Sequence, residues 1–127
     1  MSAMTDYTEE RVLKHFGGIS SFTMPASLYL ALHTATPGEA GSSNEVSGGS
    51  YARQAITFTW NSGSSRVENT AQVAFTNMPA ATVSHWSIKD ASTAGNTLFY
   101  GAFSASRTTS SGDELRLAAA ALQLTAD

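Results

Sequence analysis

Ser27-Leu28-Tyr29-Leu30-Ala31-Leu32-His33 alternates without a break. Leu28, Leu30 and Leu32 fall on one side, and Tyr29, Ala31 and His33 on the other. A period of two marks a strand with one face against a core. Its neighbours punctuate it clearly. Upstream lies Pro25, and downstream a polar run from Thr34 to Ser50 holds a Pro37-Gly38 turn and a Gly48-Gly49 pair. A loop of that length inside a compact domain is uncommon and is often a contact element.

Beyond the loop the same alternation recurs. Tyr51 to Trp60 is predicted as one long strand with Gln54, Ile56, Phe58 and Trp60 on one face, ended by an Asn61-Ser62-Gly63 turn. Arg66 to Glu68 gives a weak strand, Ala71 to Phe75 another, and Met78-Pro79 breaks it. Thr82 to Lys89 follows, with Trp86 and Ile88 sharing a face. After a turn-rich Asp90 to Asn96 come Thr97 to Phe103, a short Arg107 to Thr109, and a turn at Ser110-Ser111-Gly112-Asp113. Leu115 and Leu117 alternate, as do Leu122 and Leu124. Between them Ala118 to Ala121 favours helix by propensity but strand by the spacing of its flanks.

Upstream, Asp6 to Phe16 reads as a helix. Asp6 is placed to cap it and Glu9 to complete a capping box. Acids lead, Lys14 and His15 close the last turn, and Gly17-Gly18 ends it. Val12, Leu13 and Phe16 form its apolar face. So short a helix needs a surface to dock on. The expected fold is therefore mainly β, an antiparallel β-sandwich of jelly-roll-like type preceded by a short N-terminal α-helix. Residues 1–20 are set apart as a helical arm and 21–127 as the sandwich.

Composition narrows the functional classes. The chain has 127 residues, enough for one domain with a modest core. Charged residues are 13% and the net charge is −3. The basic residues are scattered, so no stripe for nucleic acid is present. No apolar run is long enough to span a bilayer, and acids near the N-terminus replace the basic region of a secretory signal. The absence of cysteine rules out disulfides and thiolate chemistry and fits folding in a reducing cytoplasm.

Catalytic patterns are missing as well. His15, His33 and His85 form no metal-ligand spacing, and there is no G-x-S-x-G elbow. Gly48-Gly49-Ser50 lacks the lysine and helix of a phosphate loop. Glu39, Glu45, Glu68, Asp90, Asp113 and Glu114 fall mostly in turns, with no two marked as a facing pair. The expectation is a protein that is not an enzyme and carries no cofactor or metal. The aromatic residues have two readings, a core or a carbohydrate platform, and strand positions favour the core. Tyr51 beside Arg53 is the best contact candidate, since both types are favoured at interfaces. Arg53 has an alternative role as the partner of Glu45.

Four stretches carry a resemblance: LYLALHTATPGEAG (28–41), NEVSGGSYARQAITF (44–58), NTAQVAFTNMPAATVSHWSIKDASTAGNTLFYGAF (69–103) and GDELRLAAAALQLTAD (112–127). Together they resemble a family of small tailed-phage virion proteins, often labelled tail-fibre proteins, some of which look like capsid cement or head-decoration proteins. The resemblance implies a structural virion component with a β-sandwich and no chemistry of its own. Its leading form is a cement protein folded in the host cytoplasm and bound to the capsid exterior. The partners it implies are the major capsid protein and further copies of itself, as dimer or trimer, with neither nucleic acid nor membrane. The alternative is a tail component, a fibre, baseplate or tail-tip subunit, engaged in host attachment. The partner-binding candidates are Val12, Leu13 and Phe16 on the helix, Pro37 and Glu45 in the loop, and Tyr51 and Arg53 at its end. The helix is expected to dock on a partner.

Overall fold

In the computed structural model, which describes residues 2–126, the leucine alternation becomes an interior strand of a five-stranded sheet. The elements in chain order are β1 (Ser2–Met4), α1 (Asp6–Phe16), β2 (Leu28–His33), β3 (Gln54–Ile56), β4 (Phe58–Asn61) and β5 (Arg66–Asn69). They continue as β6 (Val73–Met78), β7 (Ala81–Lys89), β8 (Thr97–Thr109), β9 (Asp113–Leu117) and β10 (Gln123–Leu124). The large sheet runs β1-β8-β7-β2-β3, and the strands of a β10-β5-β4 sheet and a β6-β9 pair form the rest. Every pairing is antiparallel.

The core lies between these layers. Leu30, Leu32, Ile56, Val83, Trp86 and Ile88 come from the large sheet. Val73, Phe75, Met78, Leu115, Leu117 and Leu124 meet them from the smaller sheets, with Leu122 just before β10. Burying a side chain of this size contributes about 1.5–3 kcal/mol, so this dry layer is the main driving force for the fold. The mainly β sandwich with one short leading helix is as expected.

Several boundaries differ from the expected ones, each for a local reason. The long strand from Tyr51 to Trp60 is two strands in different sheets, divided at Thr57. Ile56 is buried in β3 while Trp60, near the tip of the β4–β5 hairpin, is 62% exposed. The common face predicted for Gln54 to Trp60 therefore does not exist. Conversely, Thr97 to Phe103 and Arg107 to Thr109 are one continuous strand. Val83 pairs with Arg107 and His85 with Ala102, so five residues of advance on β8 answer two on β7. The excess forms a bulge around Ser104-Ala105-Ser106, which reads in sequence as a break.

Ala118 to Ala121 is neither helix nor strand but a turn with Ala120 at a φ of 62°. Asn69 holds it there. Its amide donates to Ala71 O (2.8 Å) and Ala118 O (3.0 Å), and its Oδ1 accepts from Leu122 N (2.9 Å). The helix spans the residues read for it, but its cap lies one residue earlier. Thr5, not Asp6, is the N-cap, accepting from Thr8 N at 3.3 Å. The Thr5 hydroxyl also donates to Thr97 O at 2.5 Å, which fastens the helix start to β8. The first residues of the stretch set apart as an arm are strand β1, paired with β8 at the edge of the large sheet.

Replacing Asn69 by Ala leaves buried backbone groups of the 118–122 turn without partners. The expected loss is about 3 kcal/mol in urea-unfolding free energy, at the upper end of the cost of a stranded buried polar group. A loss below ~1 kcal/mol would mean that the turn holds itself.

Candidate functional site

The loop between β2 and β3 lies on the outer face of the large sheet and is tied down by its own charged residues. Arg53 Nε and Nη2 donate to Glu45 Oε2 and Oε1, each at 2.9 Å, a two-pronged pair in which the planar guanidinium matches the carboxylate. Arg53 Nη1 donates to Ala91 O (3.0 Å) and Ala94 O (2.8 Å), which attaches the β7–β8 loop to the same point. Tyr51 Oη donates to Glu45 Oε2 (2.9 Å) and accepts from Leu32 N (3.0 Å). Its ring stacks on Phe75, with centroids 6.0 Å apart and planes 6° from parallel.

The stretch Glu45 to Arg53 is thus a clasp whose parts come from both ends of a glycine-containing turn. A shallow cleft of about 400 Å³ opens over it, lined by Glu45, Tyr51, Arg53 and Ser92 among others. Burial pushes the Glu45 carboxyl up, but hydrogen bonds from Arg53 and Tyr51 hold it below its ordinary value. The Glu45 hydrogen bond raises Arg53 in turn. The pair is a permanent ion pair at neutral pH.

Beneath the loop lies a buried polar layer that the sequence does not announce. His33 is fully buried, donating from Nδ1 to Ser43 O (2.8 Å) and accepting at Nε2 from Ser87 Oγ (2.8 Å). Burial depresses its pKa to about 4, opposed by the Ser43 carbonyl and reinforced by the Lys89 cation. Lys89 is also buried. Its Nζ donates to Gly41 O (2.9 Å) and Thr97 Oγ1 (2.5 Å), and burial lowers its pKa. Thr97 Oγ1 donates to Gly41 O as well, at 2.8 Å. Gly41 has a φ of 71°, and a Cβ there would overlap the Thr97 side chain, so only glycine lets the loop come this close.

The predicted contact residues separate into two groups. Pro37 is fully buried, and Glu45, Tyr51 and Arg53 are brought together in the clasp. The reading of Arg53 as the partner of Glu45 describes what is seen. Val12 is half-buried, whereas Leu13 and Phe16 are 73% and 82% exposed. Ile19 and Met24 extend this exposure into the following loop. Thr8 is the buried residue of α1, so the helix docks through its first turns and leaves the apolar end uncovered. At that end His15 Nδ1 accepts from Phe22 N (3.0 Å) and acts as a cap for the chain beyond the helix. At the other end Asp6, Glu9 and Glu39 bring carboxylates within 4.8 Å of one another, all exposed, and Tyr100 Oη donates to Glu39.

Among the described residues no helix is long and apolar enough to cross a membrane. The chain matches the family described as Podophage GP4 fiber I protein gp80 over residues 3–125. No curated protein matches the chain.

Two outcomes test this geometry. Arg53→Lys keeps the charge but loses the fork to Glu45, and is expected to lower unfolding free energy by ~2 kcal/mol in chemical denaturation. His33 is held neutral, with a folded pKa near 4 against an ordinary 6.5. Its contribution to stability is complete above pH 6.5 and is lost as pH falls toward 4, a span of ~3 kcal/mol. Across this range the stability gap between the wild type and His33→Gln, read from denaturation curves, should change by about that amount. A constant gap would show that His33 does not resist protonation.

Proposed function

This chain belongs to the Podophage GP4 fiber I protein gp80 family and is a structural protein of a phage virion; on that premise we propose that it is a globular subunit of the tail fibre. The observation that carries the reading is the family match over nearly the whole chain, residues 3–125. The fold agrees with a knob or adaptor in place of a shaft. The described residues form one β-sandwich with a single 11-residue helix, and a trimeric shaft needs long repeats or heptads.

The surface that joins it to the rest of the fibre is the end of α1 and the segment after it. Among the described residues, Leu13, Phe16, Ile19 and Met24 are four of the five large apolar side chains left exposed. Exposed apolar side chains grouped along one short segment mark a contact surface, whereas scattered ones do not. The clasp residues Glu45, Tyr51 and Arg53 shape the loop and leave this contact to the helix. The cement-protein reading uses the same surface against the major capsid protein. The family description favours the fibre.

Copy number and position separate the two. Quantitative mass spectrometry of purified particles should return a small number of copies per virion, and gold-labelled antibody should decorate the tail. Hundreds of copies in proportion to the major capsid protein would replace the fibre by the capsid exterior. In the same particles Leu13→Asp with Phe16→Asp should reduce incorporation more than tenfold. The thermal midpoint of the isolated protein should hardly change, because exposed substitutions cost no more than about 0.5 kcal/mol. Normal incorporation of the double variant would move the contact elsewhere.

A further inference from the structure

The bulge in β8 opens a cavity at the end of the sandwich away from the clasp. It has a volume of about 370 Å³ and is lined by Trp86, Phe103, Ser104, Arg107 and Gln123 over a floor of Leu117 and Leu122. Its size lies at the lower end of ligand pockets, roughly 300–1,000 Å³. Trp86 is 3% exposed, yet among the described residues its indole N–H has no hydrogen-bond partner. Among the described residues no fully buried side-chain nitrogen or oxygen is left unpaired, and Trp86 is one of the residues that line the cavity. An unpaired indole donor in the wall of a cavity is a position that a ligand acceptor can fill.

The rim adds complementary groups. Arg107 Nη1 donates to Arg116 O at 2.6 Å, which steadies the guanidinium and leaves its other nitrogens free of partners among the described residues. The guanidinium carbon stands 5.9 Å from the Phe103 ring centre. Gln123 Nε2 is committed to Ala120 O (3.2 Å), so its Oε1 remains as an acceptor. Ser104 supplies a hydroxyl from the bulge itself. An acyl chain would strand the indole and guanidinium donors. A bare small anion would leave Phe103 and the leucines uncovered. A sugar acid answers both sets, with C–H faces for the apolar floor, hydroxyls for Gln123, Ser104 and the indole, and a carboxylate for the guanidinium fork.

We propose that this cavity binds one hexuronic-acid unit of an acidic polysaccharide, its carboxylate held by Arg107 and its ring lodged against Phe103 and above Trp86. The bulge is then a device that spreads β8 from β7 to make room for the ligand, a use to which bulges beside binding sites are commonly put. The site depends on the sandwich alone and stands whether the subunit sits on tail or head.

The chain has two tryptophans, Trp60 and Trp86, and the first is an exposed residue of the β4–β5 hairpin that does not line the cavity. Two-dimensional ¹H–¹⁵N NMR of the whole chain therefore reads the cavity directly, with the Trp60 indole as internal control. Titration with glucuronic acid at millimolar concentrations should shift the Trp86 indole resonance to saturation and leave Trp60 in place. Glucose should bind about tenfold more weakly, as expected for loss of a charge-assisted hydrogen bond. Arg107→Gln should weaken glucuronate to the level of glucose at an unchanged thermal midpoint. If that variant is itself destabilised, Gln123→Leu serves instead and should weaken both sugars alike. The proposal is overturned if Trp86 does not respond or if both indoles shift together. It is equally overturned if neither variant changes binding. N-acetylglutamate binding as well as glucuronate would give the cavity to an acidic peptide and not to a sugar.

Discussion

The Glu45–Arg53 pair is the constraint on which the outer half of this molecule depends. Thr34 to Ser50 has almost no regular structure of its own, and among the described residues its one β-bridge to the sheet is His33 to Glu45. The pair closes the C-terminal end of the loop, while Gly41 and Ser43 hold its middle to the sheet through Lys89, Thr97 and His33. Within the pair, one guanidinium fastens the loop and the β7–β8 turn to a single carboxylate, and Tyr51 connects that carboxylate to β2 and to Phe75. Desolvating such a pair costs several kcal/mol per ion unless the remaining donors are satisfied. Here two carbonyls and a phenol satisfy them, which is why the clasp is stable in a half-buried setting.

A consequence is that the large sheet has two buried faces of opposite character. Toward the smaller sheets it presents Leu30, Leu32, Trp86 and Ile88. Toward the loop it presents His33, Ser87, Lys89 and Thr97. The dry face provides the hydrophobic drive. The polar face provides specificity, because a loop laid down in another position would leave Lys89 and His33 without acceptors. Gly41 is the point at which the two requirements meet, since its carbonyl takes both Lys89 and Thr97.

The dry face was legible and the polar face was not. Leu28 to His33, Thr82 to Lys89 and the paired leucines near the C-terminus declare their buried sides by a period of two, and the sandwich follows. The same period misled at Tyr51 to Trp60, because a strand that leaves one sheet for another at Thr57 keeps its composition but not its partner. It also misled at Ser104, where a bulge looks like an end. Lys89 reads as an ordinary strand-terminal charge, since its acceptors come from Gly41 and Thr97, distant in sequence or carried on a backbone. The Glu45–Arg53 contact was recognisable from charge and spacing, and the exposed end of the helix from its Leu13 and Phe16. Asn69 gave no signal, because a single asparagine in a polar stretch reveals nothing about which turn it will hold.

The two ends of the described chain meet. Ser2 Oγ accepts from Thr125 N at 3.0 Å, and β1 lies along β8 while β10 lies along β5. Leu122 and Leu124 are part of the core, and the 118–122 turn waits on Asn69. During synthesis, then, the strands from Leu28 onward must leave the ribosome with one wall of their core still inside it. A fold dominated by such distant pairings forms slowly, since the entropy of closing long loops is met before the contacts repay it. The protein is therefore expected to fold only once Leu122 and Leu124 have emerged, as a whole and not strand by strand, and in the interval its Val- and Leu-rich strands are open to neighbouring chains or to a chaperone.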